Sequence, residues 1–128
     1  MNTVVIPRAD WRVMLDSFSS AHAGWRVSLD VLTSELGAQP EFLDLPLQGV
    51  TAEVGAREAA IIIAAGSKGA DQITHTIHMP TCVQLEQNDQ GADVALEIQS
   101  KDHARAILRF TSPALTETVD GMPARFPP

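Results

Sequence analysis

Residues 93–110, DVALEIQSKDHARAILRF, hold two alternating runs separated by a short polar break. Val94, Leu96 and Ile98 are the apolar positions of the first run, and Ala106, Leu108 and Phe110 those of the second. Successive side chains of a strand point to opposite faces, so a one-residue slip would turn a whole apolar set into water. Both sets reach one core only if Ile98 lies opposite Ala106, Leu96 opposite Leu108 and Val94 opposite Phe110. Ser100 then faces Ala104, and Lys101-Asp102-His103 is the loop. A three-residue hairpin usually ends on a left-handed residue, normally glycine, and His103 is therefore expected at a positive φ. The same matching sets Val83 and Leu85 against Leu96 and Val94 across a loop Asn88-Asp89-Gln90-Gly91. The outer face is then expected to carry Cys82, Glu97 and Ile107 in one row and Gln84, Ala95 and Arg109 in the next, a mixed and solvated surface.

Upstream, the period of two returns at Trp25, Val27, Leu29 and Val31, alternating with Arg26, Ser28 and Asp30. SELGAQPE ends that strand. FLDLPLQG and VTAEVG read as a short strand pair interrupted by Pro46 and Gly49. The next run, REAAIIIAAG, is apolar at both parities, so both faces of its strand should be covered. A helix can cover one face, and the interior of a curled sheet or a second subunit the other; Ile61, Ile62 and Ile63 are accordingly candidate interface residues. AAIIIAA is the longest purely apolar run and spans seven residues, where a membrane-crossing helix needs ~20. GSKGAD has two glycines and a lysine after a strand, but a phosphate loop opens into a helix. Here the following residues alternate as a strand, so the segment is read as a turn.

The chain begins with an extended piece, Thr3 to Ile6, followed by Pro7, whose fixed φ suits a first helical turn. Trp11, Met14, Leu15, Phe18 and His22 recur at i, i+3, i+4, i+7 and i+11, the spacing of a helix laid on a sheet, and Gly24 can close it. The expected architecture is a single α+β domain over residues 1–113. An N-terminal amphipathic helix of about residues 7–23 packs on a curved, mainly antiparallel sheet or partial barrel of about six to seven strands. Residues 114–128 form a proline-rich tail, with Phe126 a candidate anchor on the domain or on a neighbour.

ITHTIHMPTC, residues 73–82, supplies the candidate polar site, His75 and His78. On a strand, three positions apart means opposite faces, so these two cannot share a metal ion. His78 and Cys82 share a face but lie ~13 Å apart, against about 4 Å for co-ligands of one zinc. No metal site, cofactor or catalytic set is assigned. His75, on the apolar parity with Ile73, Ile77, Met79, Val83 and Leu85, reads as a core histidine, with an acid–base role beside a carboxylate such as Glu97 or Asp44 as the alternative. Nine Lys and Arg against sixteen Asp and Glu give a net charge of −7, which disfavours nucleic acid and anionic membranes as partners. One cysteine and no visible secretion signal make the cytoplasm the expected compartment.

IPRADWRVMLDSFSSAHAGWRVSL, LPLQGV, HTIHMPTCVQLEQNDQGADVALEIQS and LRFTSP, in this order and spacing, resemble the bacterial domain-of-unknown-function family numbered 5335, over roughly residues 3–113. The resemblance implies a short single-domain bacterial protein and supplies no activity. The family pattern has Asp-Gly at the last hairpin where this chain has Asp102-His103, which marks His103 as a backbone position and not a catalytic one. Three functional readings follow. The first is a small non-catalytic binding or protein-interaction module, self-associating as a homo-oligomer or taking another protein. The second is a small enzyme using His75 with a carboxylate, and the third a structural or stress-associated protein without a small ligand.

Overall fold

The computed structural model describes residues 2–55, 58–67 and 72–111. Pro7 is followed by a 3-10 turn, Arg8–Asp10, and then by helix α1, Trp11–Ala21, which starts later than the spacing alone suggests. Trp11, Leu15 and Phe18 are buried, as is His22 just past the last turn, and Gly24 at φ 84° turns the chain away. Met14, expected on the same stripe, is exposed. At 100° per residue it sits about 60° to one side of the line through Trp11, Leu15, Phe18 and His22, and the helix packs chiefly along one strand, β3. The Trp11 indole N–H donates to the Ile6 carbonyl (2.9 Å), tying the helix to the strand before it.

Among the described residues, eight strands make one sheet: β1 (Asn2–Ile6), β2 (Arg26–Thr33), β3 (Gly37–Val54), β4 (Ala59–Ala65), β5 (Ile73–His78), β6 (Pro80–Gln87), β7 (Asp93–Ser100) and β8 (Arg105–Phe110). Their order is β1-β6-β7-β8-β2-β3-β4-β5, and each neighbouring pair is antiparallel. This corrects the expected six to seven strands and the partial barrel. The extended N-terminal piece pairs with β6 as a strand in its own right, the segment from 73 to 87 is divided in two at Met79, and no pairing joins β5 to β1. Met79 adopts φ 52°, and this single residue turns the chain from β5 into β6. The parity read across residues 73–85 is broken there: Pro80 is buried while Met79 is exposed.

The two short strands expected around Pro46 and Gly49 are instead one strand of 18 residues. Its first half pairs with β2 and its second with β4. Proline and glycine do not stop it, because the backbone groups at the crossover find partners. Leu47 exchanges both of its hydrogen bonds with the Gly24–Trp25 segment, and the Pro46 carbonyl accepts from the Gly66 N–H. Past the crossover, the free edge of β3 is capped by the helix. The Ser19 hydroxyl accepts from the Val50 N–H (2.8 Å) and stands within 2.9 Å of the Val50 carbonyl. The folded sheet encloses one core, in which Val50, Ile61 and Ile63 of the second limb join Leu29, Leu96, Ile98 and Leu108 of the first and Trp11 and Leu15 of the helix.

The last hairpin has the register that its alternation requires: Ile98 opposite Ala106, Leu96 opposite Leu108, and His103 at φ 70°. The hairpin before it does not. Val83 lies opposite Ile98 and Leu85 opposite Leu96, two residues from the expected pairing. The loop is longer than four residues, closing with the Asn88 N–H on the Ala92 carbonyl and a bulge at Val94. The Asn88 side chain holds it by accepting from the Gln90 and Ala92 N–H groups. The outer rows are therefore Gln84, Glu97 and Ile107, then Glu86, Ala95 and Arg109.

Candidate functional site

β5 is an edge strand, and its register on β4 decides where the two candidate histidines go. His75 lies opposite Ile63 and His78 opposite Ala60. Ile63 is fully buried and Ala60 half-buried, so His75 belongs to the inner face and His78 to the outer. Ile61 and Ile63 are both fully buried in the domain's own core, while Ile62 lies half-buried on the outer face between Thr51 and Thr76. Phe126 lies outside the described residues, as do Lys68–Asp71 of the GSKGAD segment. Ile73, expected to be core, is partly exposed at the start of the edge strand.

A cleft of about 220 Å³ opens between β5 and the β7–β8 hairpin. Val31, Ile77, Ala104 and Ala106 give it apolar walls, His75, Ser100, Asp102 and Arg105 are its polar lining, and His78 borders it from the end of β5. His75 is 25 % exposed, and its Nδ1 is 3.9 Å from a Glu41 carboxylate oxygen. That is too long for a hydrogen bond. Glu41 reaches this position from a bulge: Leu29 pairs with Phe42 and Asp30 with Pro40, leaving Glu41 as the extra residue. The carboxylates expected beside His75 are engaged elsewhere, Glu97 by the Arg105 guanidinium (2.8 Å) and Asp44 by that of Arg26 (3.1 Å).

The hairpin supplies the opposite wall. Ser100 accepts from the His103 N–H (3.0 Å) and donates its own N–H to Ala104 (2.9 Å). The Ser100 hydroxyl donates to Asp102 Oδ1, which also accepts from the Ala104 N–H. The Ser100 hydroxyl first, and then the Ala104 N–H, hold the Asp102 carboxyl below the ordinary carboxylate value. Lys101 donates its N–H to the Met79 carbonyl, so the corner at Met79 is tied to the hairpin (2.9 Å). Two of the three non-glycine residues at positive φ among the described residues, Met79 and His103, thus border this one region. Backbone strain of this kind costs of order 1 kcal/mol per residue and concentrates at ligand sites.

Chemically, the arrangement can hold a ligand more readily than transform one. Ser100 has committed its proton to Asp102, and a carboxylate held below its usual pKa is a weak base, so no nucleophile is primed. Among the described residues, His75 has no partner close enough to fix its tautomer. Among the described residues, no group of three or more His, Cys, Asp or Glu side chains is placed to hold a metal ion, and no helix is long and apolar enough to cross a membrane. A larger groove, about 900 Å³, runs past Arg12, Glu53, Glu58 and Met79, but it borders residues 56–57, outside the described set.

A second polar pair lies away from the cleft. His22 is buried, with Nδ1 2.8 Å from the Phe18 carbonyl and Nε2 3.2 Å from Asp93 Oδ2. Its ring lies 4.5 Å from those of Phe18 and Trp25 and 4.8 Å from that of Phe110. Both nitrogens thus face acceptor oxygens, one on the backbone of the helix and one on the Asp93 carboxylate. Nothing local announces this pair, since Asp93 comes from a distant hairpin; the only signal was a histidine on the buried stripe of a helix.

No curated protein and no solved structure matches the chain. A family of unknown function, DUF5335, matches residues 2–119, nearly the whole chain, and this protein belongs to that family.

Proposed function

We propose that this protein is a non-catalytic binding module and that its ligand enters the cleft between β5 and the β7–β8 hairpin. The observation that carries the reading is the convergence of polar groups on an apolar-walled cleft that contains no aligned proton relay. Its volume, about 220 Å³, suits a small molecule or one side chain of a partner, being below the usual range of about 300–1,000 Å³ for drug-sized ligands. A single free thiol, Cys82, fits a reducing compartment such as the cytoplasm. Nuclear magnetic resonance with a library of small polar fragments tests the reading. Saturable shifts confined to the amides of His75, Ile77, Ser100, Ala104 and Ala106, with the fragment recovered unchanged, are expected. A library that leaves those amides unmoved, or a fragment converted to product, removes it.

Self-association is the second reading, and the free edge of β1 favours it. Residues 2–6, NTVVI, contain no charge, proline or bulge to blunt that edge, and Val4 and Val5 are 42 % and 58 % exposed. Pairing β1 with β1 of a second copy would continue the sheet across a two-fold axis. Light scattering on the intact chain should then show a concentration-dependent dimer that Val5→Lys abolishes. A monomer at every concentration would remove this reading and leave the cleft untouched.

A further inference from the structure

We infer that the cleft selects a primary alkylammonium group, either a small free amine or a lysine side chain presented by a partner. The inference rests on the cleft being the ligand site and names what that site takes. Two charged residues besides the histidines line it, Asp102 and Arg105, and Glu41 stands just outside that lining, 3.9 Å from His75 Nδ1. The charge of Arg105 is offset by Glu97, to which its Nε is bonded at 2.8 Å and whose side chain is only 15 % exposed. Asp102 keeps its negative charge, since the Ser100 hydroxyl and the Ala104 N–H both point at one of its oxygens. Glu41 is 42 % exposed, and its contact with His75 is too long to be a hydrogen bond.

The uncancelled charge at the cleft is therefore negative, and its hydrogen-bonding carboxylates can only accept. An ammonium group is the complement, with three donors and a positive charge. The walls decide what carries that group. Ile77 and Ala106 are almost fully buried beneath the polar rim, which suits a short alkyl chain and gives a bare ammonium ion or a hydrated metal cation nothing to bury. The net charge of −7 acts in the same direction, raising the local concentration of cations over anions.

The test uses the full chain and three isosteric probes: n-butylammonium, butyrate and n-butanol. Asp102→Asn is the informative variant because its side-chain oxygen can still accept from Ser100 and Ala104, so the hairpin is kept while the charge is lost; Glu41→Gln removes the other charge from a different strand. Butylammonium is expected to move the Ser100, Ala104 and Ala106 amides saturably, at least tenfold more weakly in Asp102→Asn, with no saturable response to butyrate. Butyrate binding, or equal butylammonium binding in the wild type and the double variant, overturns the inference. Response to butanol alone leaves the cleft as the ligand site and overturns its charge selectivity, whereas no response to any probe overturns both. A blocked lysine, Nα-acetyl-lysine methylamide, separates the sources: tighter binding than butylammonium assigns the site to a partner's lysine, and weaker binding assigns it to a free amine.

Discussion

Two histidines on buried faces of this fold meet opposite fates. His22, past the end of α1, is enclosed by Phe18, Trp25 and Phe110 and bonded at both nitrogens. His75, on the inner face of an edge strand, has open space on one side and a carboxylate just out of hydrogen-bond range. Their settings differ because three aromatic rings can exclude water around the first, while the second has Val31, Ile77 and small alanines for walls. A buried polar group without partners is costly, so His22 is fully satisfied. Partly solvated, His75 carries no such requirement.

The comparison breaks most directly by substitution at each histidine. His22→Ala removes a buried hydrogen-bonded partner of Asp93 and opens a gap among the rings, and should cost about 3 kcal/mol in urea unfolding. His75→Ala should change stability by no more than about 0.5 kcal/mol. Equal losses would mean that the β5 side is as sealed as the aromatic end, and the cleft would lose its claim to be a site.

Ser100→Ala probes the hairpin wall. It deletes the donor to Asp102 and should cost about 1 kcal/mol, less than His22→Ala, because the Ala104 N–H still holds the same carboxylate oxygen. A loss as large as that of His22→Ala would show the hairpin to be a structural keystone and not a wall shaped for a ligand.

The strain at His103 is smaller still and of opposite sign. Its φ of 70° costs of order 1 kcal/mol relative to glycine, offset in part by the greater freedom of an unfolded glycine chain. His103→Gly should therefore raise the unfolding midpoint slightly and leave fragment shifts at Ala106 unchanged. A drop in stability would mean that the imidazole makes contacts that outweigh its backbone strain.

That hairpin was legible from residues 93–110 because two alternating runs with one buried face admit only one register. The preceding hairpin was not, since Asn88 folds its loop through side-chain bonds that add residues without disturbing the alternation. The continuity of β3 is hidden for a related reason. Pro46 and Gly49 look like breaks, and only the distant Gly24–Trp25 and Gly66 backbones make the strand continuous there. The candidate site was half visible. His75 and its parity came from the sequence, but the cleft depends on a bulge at Glu41, a corner at Met79 and the placement of β5 as an edge, none of which has a local signature.

Acid separates the two regions by the weakest effect. Asp102, on the open side, has its pKa lowered from an ordinary 3.8, chiefly by the Ser100 hydroxyl and then by the Ala104 N–H. A carboxyl whose folded pKa lies below its unfolded value contributes stability that is fully present above the unfolded value and is lost as pH falls through the folded one. The loss attached to Asp102 therefore begins near the ordinary value of 3.8 and grows below it. Asp44 behaves alike, its pKa lowered first by the hydrogen bond from Arg26, so it supplies a background slope that Asp102→Asn leaves in place. Both carboxyls are solvent-exposed, and screening keeps the contribution small. Stability measured by urea between about pH 5 and pH 2 should fall less steeply in Asp102→Asn than in the wild type, with a further reduction when Asp44→Asn is added. An unchanged slope in Asp102→Asn would mean that Ser100 does not hold that carboxylate in solution, and the negative rim inferred for the cleft would lose its better-anchored half.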